Sequence, residues 1–123
     1  MSKPSVLAMH QEQLAEHGGS GGIRDESLLD SALAKPKKVF TYSESPDLFP
    51  LAASYAFGIA RNHAFINGNK RTALVVSHTF LRLNGWEIEA SREETYLTFL
   101  RLAEGSLSEE ELTAWFSAHA EAL

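Results

Sequence analysis

The sequence predicts a compact all-α domain of six helices, with a polar loop between the two central helices as its working part. Three observations predict it. Apolar residues recur at three- and four-residue spacing through most of the chain. Glycine or proline clusters and capping residues separate these stretches at short intervals. Only Trp86-Glu-Ile-Glu89 alternates in the manner of a strand.

Val6, Leu7 and Leu14 place a first helix over 5–17, which Gly18-Gly19-Ser20-Gly21-Gly22 breaks. Asp25 is the expected N-cap of a second helix through Leu28, Leu29, Ala32 and Leu33, and Pro36 is expected to end it. Residues 36–46, with two prolines and several polar residues, read as a loop. Asp47 caps a third helix from Leu48 to about Asn62, carrying Leu51, Tyr55 and Ile59. Residues 63–68 form a turn, and a fourth helix runs from about Asn69 to Asn84 with Leu74, Ser77, Phe80 and Leu81 facing inward. Asn84-Gly85 stops it, because glycine accepts the left-handed conformation after a helix end. Ser91 to Glu94 and Ser108 to Glu111 each fit a capping box, a hydroxyl at N-cap and a carboxylate at N3, before the last two helices.

The chain of 123 residues is expected to form a single domain over 1–123, with 44% hydrophobic and 22% charged residues, the balance of a soluble globular protein. No apolar run reaches membrane-spanning length, and the N-terminus lacks the pattern of a secretory signal. The absence of cysteine excludes disulfides and thiolate metal sites, and a cytoplasmic location is the expectation. The formal net charge of −5 argues against a nucleic-acid grip, which needs a basic face. Lys35, Lys37 and Lys38, interrupted by Pro36, read as a solvated turn.

Residues 63–71, His-Ala-Phe-Ile-Asn-Gly-Asn-Lys-Arg, carry the chemistry. They end at a helix start, where free N–H groups and the macrodipole favour anions. Gly68 permits close backbone approach, Lys70 supplies a point charge, and Arg71 a planar fork suited to two phosphate oxygens. A basic pair in a first helical turn opposes the dipole, and such a broken rule marks functional sites. Imidazole, at His63, is suited to taking a proton from a hydroxyl at neutral pH. Asn67 offers an oxygen for Mg²⁺, which takes its other ligands from phosphates and water. Phe65, apolar in a polar loop, is expected to pin the loop to the core. Singly each feature has an ordinary reading as a turn, a solvated pair or a core residue. Together they meet the needs of phosphoryl or nucleotidyl transfer, where positioning and charge stabilisation dominate.

This segment resembles the signature of the Fic/Doc superfamily, His-x-Phe-x-(Asp/Asn)-(Ala/Gly)-Asn-Lys-Arg, at every fixed position. Gly22-Ile-Arg-Asp25, Leu28-Leu29 with Ser31-Ala32-Leu33, Ala60-Arg-Asn-His63 and Leu83-Asn84-Gly85 resemble its death-on-curing (Doc) branch, and the likeness spans roughly residues 6–119. The resemblance implies a toxin of a type II toxin–antitoxin pair. It implies a protein kinase using ATP and Mg²⁺ to phosphorylate a threonine of elongation factor Tu, halting translation. His63 would be the base; Gly68, Asn69, Lys70 and Arg71 would hold the nucleotide, supported by Arg61; Asn67 would meet the metal. Fic enzymes, with glycine at the Lys70 position and arginine at the Leu74 position, transfer AMP instead, and AMP transfer is the alternative activity. Asn67 stands where many members carry aspartate, and a neutral oxygen binds Mg²⁺ more weakly. That departure keeps open a catalytically weak module that acts by binding its antitoxin and promoter DNA. A ribonuclease toxin is a further alternative, disfavoured by the acidic balance. The antitoxin would dock a disordered segment near the active site. His10, His17, His78 and His119 lack metal-ligand spacing and read as structural or exposed. The Gly18–Gly22 run reads as a flap or a plain connector.

Overall fold

A computed structural model describes residues 1–42 and 47–123 of the chain, without the side chains of 41 and 42. Six helices and one two-stranded ribbon are present among the described residues: α1 (Lys3–His17), α2 (Glu26–Tyr42), α3 (Leu48–Ala60), α4 (Asn69–Leu83), β1 (Trp86–Ile88), α5 (Arg92–Glu104), α6 (Glu109–His119) and β2 (Ala120–Ala122). The all-α architecture expected from the periodicity is the observed one.

The third helix is the hub. Its sequence is apolar around its whole circumference, the mark of a buried helix, and Leu51 through Tyr55 and Ala56, Gly58, Ile59 and Ala60 are all buried. It packs on α2, α4, α5 and α6. Gly58 is required there: a Cβ on it would lie 2.6 Å from the Cβ of Ala32, so only glycine lets α2 come this close. The core continues through Val6, Leu29, Val76, Leu81, Phe99, Leu102, Leu112 and Phe116.

The first helix starts earlier than its apolar pattern indicated. Ser2 accepts from the Ser5 N–H and Pro4 occupies the first turn, where its missing N–H costs nothing. Asp25 caps α2 as expected, its Oδ1 accepting from Leu28 N at 3.0 Å. Pro36, however, does not end that helix, which runs on to Tyr42. The lost hydrogen bond is outweighed locally because Pro36 is buried, beside Tyr55 and Phe80. Lys35, Lys37 and Lys38 therefore lie on an exposed helical face, not in a turn, and Lys35 pairs with Glu109 at 3.8 Å. The remainder of the expected 36–46 loop, residues 43–46, lies outside the described residues.

Asp47 caps α3, and Gly85 follows Asn84 with φ 92°. Leu74 is only half-buried; Ala73, Val76, Ser77, Phe80 and Leu81 form the inner face of α4. Ser108 makes the full reciprocal capping box with Glu111. Ser91 makes half of one, because the Glu94 carboxylate meets His119 Nε2 at 3.1 Å instead of turning back to the cap. The extended reading of Trp86-Glu-Ile holds, with a partner the sequence did not announce. The chain end pairs antiparallel to it, Trp86 opposite Ala122 and Ile88 opposite Ala120.

Candidate active site

Residues 61–68 leave the hub helix and return as α4, and four separate ties fix their path. The first is a short antiparallel ladder with the glycine-rich segment. Arg24 N donates to Ala64 O (2.9 Å), Ile66 N donates to Gly22 O (3.2 Å), and Ile23 bridges Phe65. The second is Asn69, whose carboxamide accepts from Phe65 N and donates to Phe65 O, both at 2.8 Å. These two bonds satisfy the buried main-chain N–H and C=O of Phe65, which the ladder leaves unpaired. The third is aromatic. Phe65 is 1% exposed, as its apolar character foretold, and His10 stacks on it at 3.8 Å with an interplanar angle of 11°. His10 Nε2 also donates to Asn67 O at 2.8 Å; a carbonyl only accepts, so that nitrogen carries the proton. The fourth is Asn67 itself, whose Oδ1 accepts from Ser20 N at 2.8 Å. The glycine-rich run is thus neither a free flap nor a bare connector. It is a strap laid along the loop.

His63 sits at the bend in a left-handed conformation, φ 49°, the one non-glycine residue with positive φ among those described. Such a conformation costs about 1–3 kcal/mol and persists only when its surroundings enforce it. The enforcing group is Arg24: Nε donates to His63 O at 2.6 Å and Nη2 to Asn62 O at 2.8 Å. The imidazole is left exposed, in an open cleft of about 350 Å³ shared with Ile66, Asn67, Gly68, Asn69, Lys70, Arg71, Leu100 and Ala103.

Across that cleft the fourth helix begins without a side-chain cap and without an acidic residue in its first turn; its N-cap is Gly68 in the left-handed region (φ 77°, ψ 16°). The uncapped N–H groups, Lys70 and Arg71 make this a cationic helix start beside an imidazole. The Lys70 ammonium rests over the Tyr96 ring, 4.2 Å from its centroid. Loss of that contact, worth about 0.5–1 kcal/mol at an exposed site, is readily offset by a phosphate oxygen.

Of the residues singled out from sequence, His63, Asn67, Gly68, Asn69, Lys70 and Arg71 share the cleft. Two stand differently from the expectation. The Asn69 side chain is spent on Phe65, so only its main-chain N–H is left to meet an anion. Arg61 is not brought to the cleft: its guanidinium lies against Gly105, at the end of α5. Arg61 keeps right-handed backbone (φ −71°, ψ −35°), whereas His63 is left-handed. Asn67 supplies one neutral oxygen that already accepts a hydrogen bond, and no group of three or more His, Asp or Glu suited to a metal occurs among the described residues. A preformed metal site is therefore absent there, although an ion carried in by phosphates needs few protein ligands.

Comparison with known proteins fits this geometry. The model of the Fic/DOC family matches residues 1–81, which takes in the strap, the hub helix, the loop and most of α4. The chain belongs to the Fic/DOC family. Among its relatives, the protein kinase doc of Escherichia phage P1 is 34% identical over 98 residues, 80% of this chain and 78% of the relative. The toxin Doc of Mycolicibacterium smegmatis is 43% identical over 74 residues, 59% of this chain and 57% of that protein. Sequence reasoning missed Arg24, His10 and Ser20 as supports of the loop. None has a local signature, since each meets the loop from at least 38 positions away, by the separations of their hydrogen bonds.

Proposed function

We propose that this protein is the toxin of a type II toxin–antitoxin pair and a protein kinase. It transfers the γ-phosphate of ATP to a serine or threonine hydroxyl of a translation factor, elongation factor Tu being the family's target. The observation that carries the reading is the uncapped, cationic start of α4 facing His63 across one cleft. The similarity to a protein named as a kinase and to one named as a toxin supports the direction of transfer.

In this reading a ring nitrogen of His63 takes the proton of the acceptor hydroxyl. The freed oxygen attacks the γ-phosphorus, the bond to the β–γ bridging oxygen breaks, and ADP leaves with that electron pair. The main-chain N–H groups of Asn69 to Arg71, with Lys70 and Arg71, offset the charge on the phosphates. Asn67 would hold, through Oδ1, the Mg²⁺ that accompanies the nucleotide, an ion that would offset phosphate charge. The partners are the acceptor protein and an antitoxin whose disordered segment folds into a groove near the cleft. The site of action is the cytoplasm; no described helix is long and apolar enough to cross a membrane.

The deciding experiment incubates the purified chain with its acceptor and ATP labelled on either the α- or the γ-phosphate. Label entering the acceptor only from the γ position is expected. Label only from the α position would replace the kinase reading with AMP transfer. Growth inhibition that survives His63→Ala would favour a binding module over an enzyme.

A further inference from the structure

The His63 cleft is not the largest cavity. A second one, about 410 Å³, lies beyond Lys70 between α4, the end of β1 and α5. Leu74, Ile88, Ala90 and Phe99 form apolar walls, and Tyr96 stands at its mouth, 52% exposed. Lys70, Arg71 and Arg92 bring three cations to it, and no carboxylate among the described residues lines it. His78 closes the floor, ringed by Phe99 and Phe116 at centroid distances of 5.8 and 5.9 Å. The cavity between α2, α3 and α6 is only about 150 Å³ by comparison, too small for an organic ligand.

Two features decide what this cavity suits. Its size and its mainly apolar surface, edged by the polar ends of Lys70, Arg71, Arg92, Thr95 and Tyr96, are those of a small-molecule pocket. Its location joins it to the phosphotransfer cleft, because Lys70 and Arg71 line both. An occupant that spans the two must be anionic where the cations stand and flat or apolar beyond them. A nucleoside triphosphate has that shape and charge order.

We propose that the nucleoside end of the nucleotide substrate occupies this second cavity, while its phosphates extend past Lys70 and Arg71 to the start of α4. The assignment rests on the nucleotide-dependent transfer argued above. Lys70 is then the joint. It covers the Tyr96 ring when the pocket is empty, and on loading it turns to the phosphates and uncovers that face for the base. The aromatic face and the apolar walls supply stacking and burial for a purine.

The test measures binding by calorimetry, in magnesium, of two probes: ATP, and inorganic tripolyphosphate, which lacks the nucleoside. Wild-type protein is expected to bind ATP at least about tenfold tighter than tripolyphosphate. Ala90→Trp, which fills the cavity, is expected to abolish that preference and leave tripolyphosphate affinity unchanged. Tyr96→Ala is expected to reduce the preference in the same sense. Retained tripolyphosphate binding also shows that each variant is folded with an intact phosphate cradle. An undiminished ATP preference in Ala90→Trp would overturn the pocket assignment and leave the transfer reading standing. Failure of wild-type protein to bind either probe would overturn both.

Discussion

Arg24 holds the backbone of His63 from the opposite side of the loop, with its Nε 2.6 Å from the His63 carbonyl oxygen and its Nη2 2.8 Å from that of Asn62. Two parallel donors on consecutive carbonyls define the rotation of the peptide that carries the imidazole. The guanidinium fork does this and an ammonium cannot, because only the fork presents two N–H groups at fixed spacing. The left-handed backbone at His63 therefore depends on a residue 39 positions earlier.

Arg24→Lys is expected to lower kcat for phosphotransfer on the order of tenfold to a hundredfold, since small misplacements of a reacting group cost that much. KM for ATP should change little, because Arg24 does not line the His63 cleft. Steady-state kinetics separates the two. A rise in KM at constant kcat would mean that Arg24 meets the nucleotide and does not position the base.

The reciprocal pair between Asn69 and the Phe65 peptide gives a stability prediction. Asn69→Ala leaves one buried N–H and one buried C=O unpaired, at about 1–3 kcal/mol each before relaxation. A net loss of about 2–4 kcal/mol is expected in urea unfolding. A loss under about 0.5 kcal/mol would show that water or backbone movement satisfies the peptide without Asn69.

Asn67 carries the prediction about metal. Its Oδ1 accepts from Ser20 N, and a carboxylate oxygen accepts that bond at least as well. Asn67→Asp should therefore keep the strap on the loop and add a negative charge for a hard cation. The Mg²⁺ concentration for half-maximal transfer should fall several-fold. An unchanged magnesium dependence would show that position 67 does not touch the metal.

How much of this was readable from the sequence depends on the range of each interaction. The six helices were, because capping and periodicity act within a turn or two, as at Asp47, Ser108 and Gly85. The cleft was, because His63, Gly68, Lys70 and Arg71 lie within one loop and one helical turn. Pro36 departs from the local rule because that rule counts only its missing N–H, while its burial beside Tyr55 and Phe80 is a tertiary gain. The structural part of Asn69 was not readable: at a helix start it suggests a ligand contact, and its carboxamide's bond to Phe65 exists only once the loop has folded. Arg24, His10 and the Lys70–Tyr96 contact required the fold itself.

His78 makes stability depend on pH. Burial pushes its pKa below the ordinary 6.5, and the Leu74 carbonyl one turn back offsets this only in part. Its Nδ1 is buried without a hydrogen-bond partner of good geometry. The groups around it are Phe99 and Phe116, with Lys70, Arg71, Arg92 and Tyr96 along the same cavity and, among the described residues, no carboxylate lining it to favour an imidazolium. Well above pH 6.5 neither the folded nor the unfolded chain holds the proton, and this group takes nothing from the stability. As the pH falls below that value the unfolded chain takes up a proton that the folded one refuses. Stability then declines, by at most about 1.4 kcal/mol per pH unit from this group. Urea unfolding at pH 7.5 and 5.5 should show a smaller difference in His78→Leu than in wild type, which removes the contribution of His10, His17, His63 and His119 from the comparison. Equal pH dependence in the two proteins would mean that His78 charges as easily when folded as when unfolded.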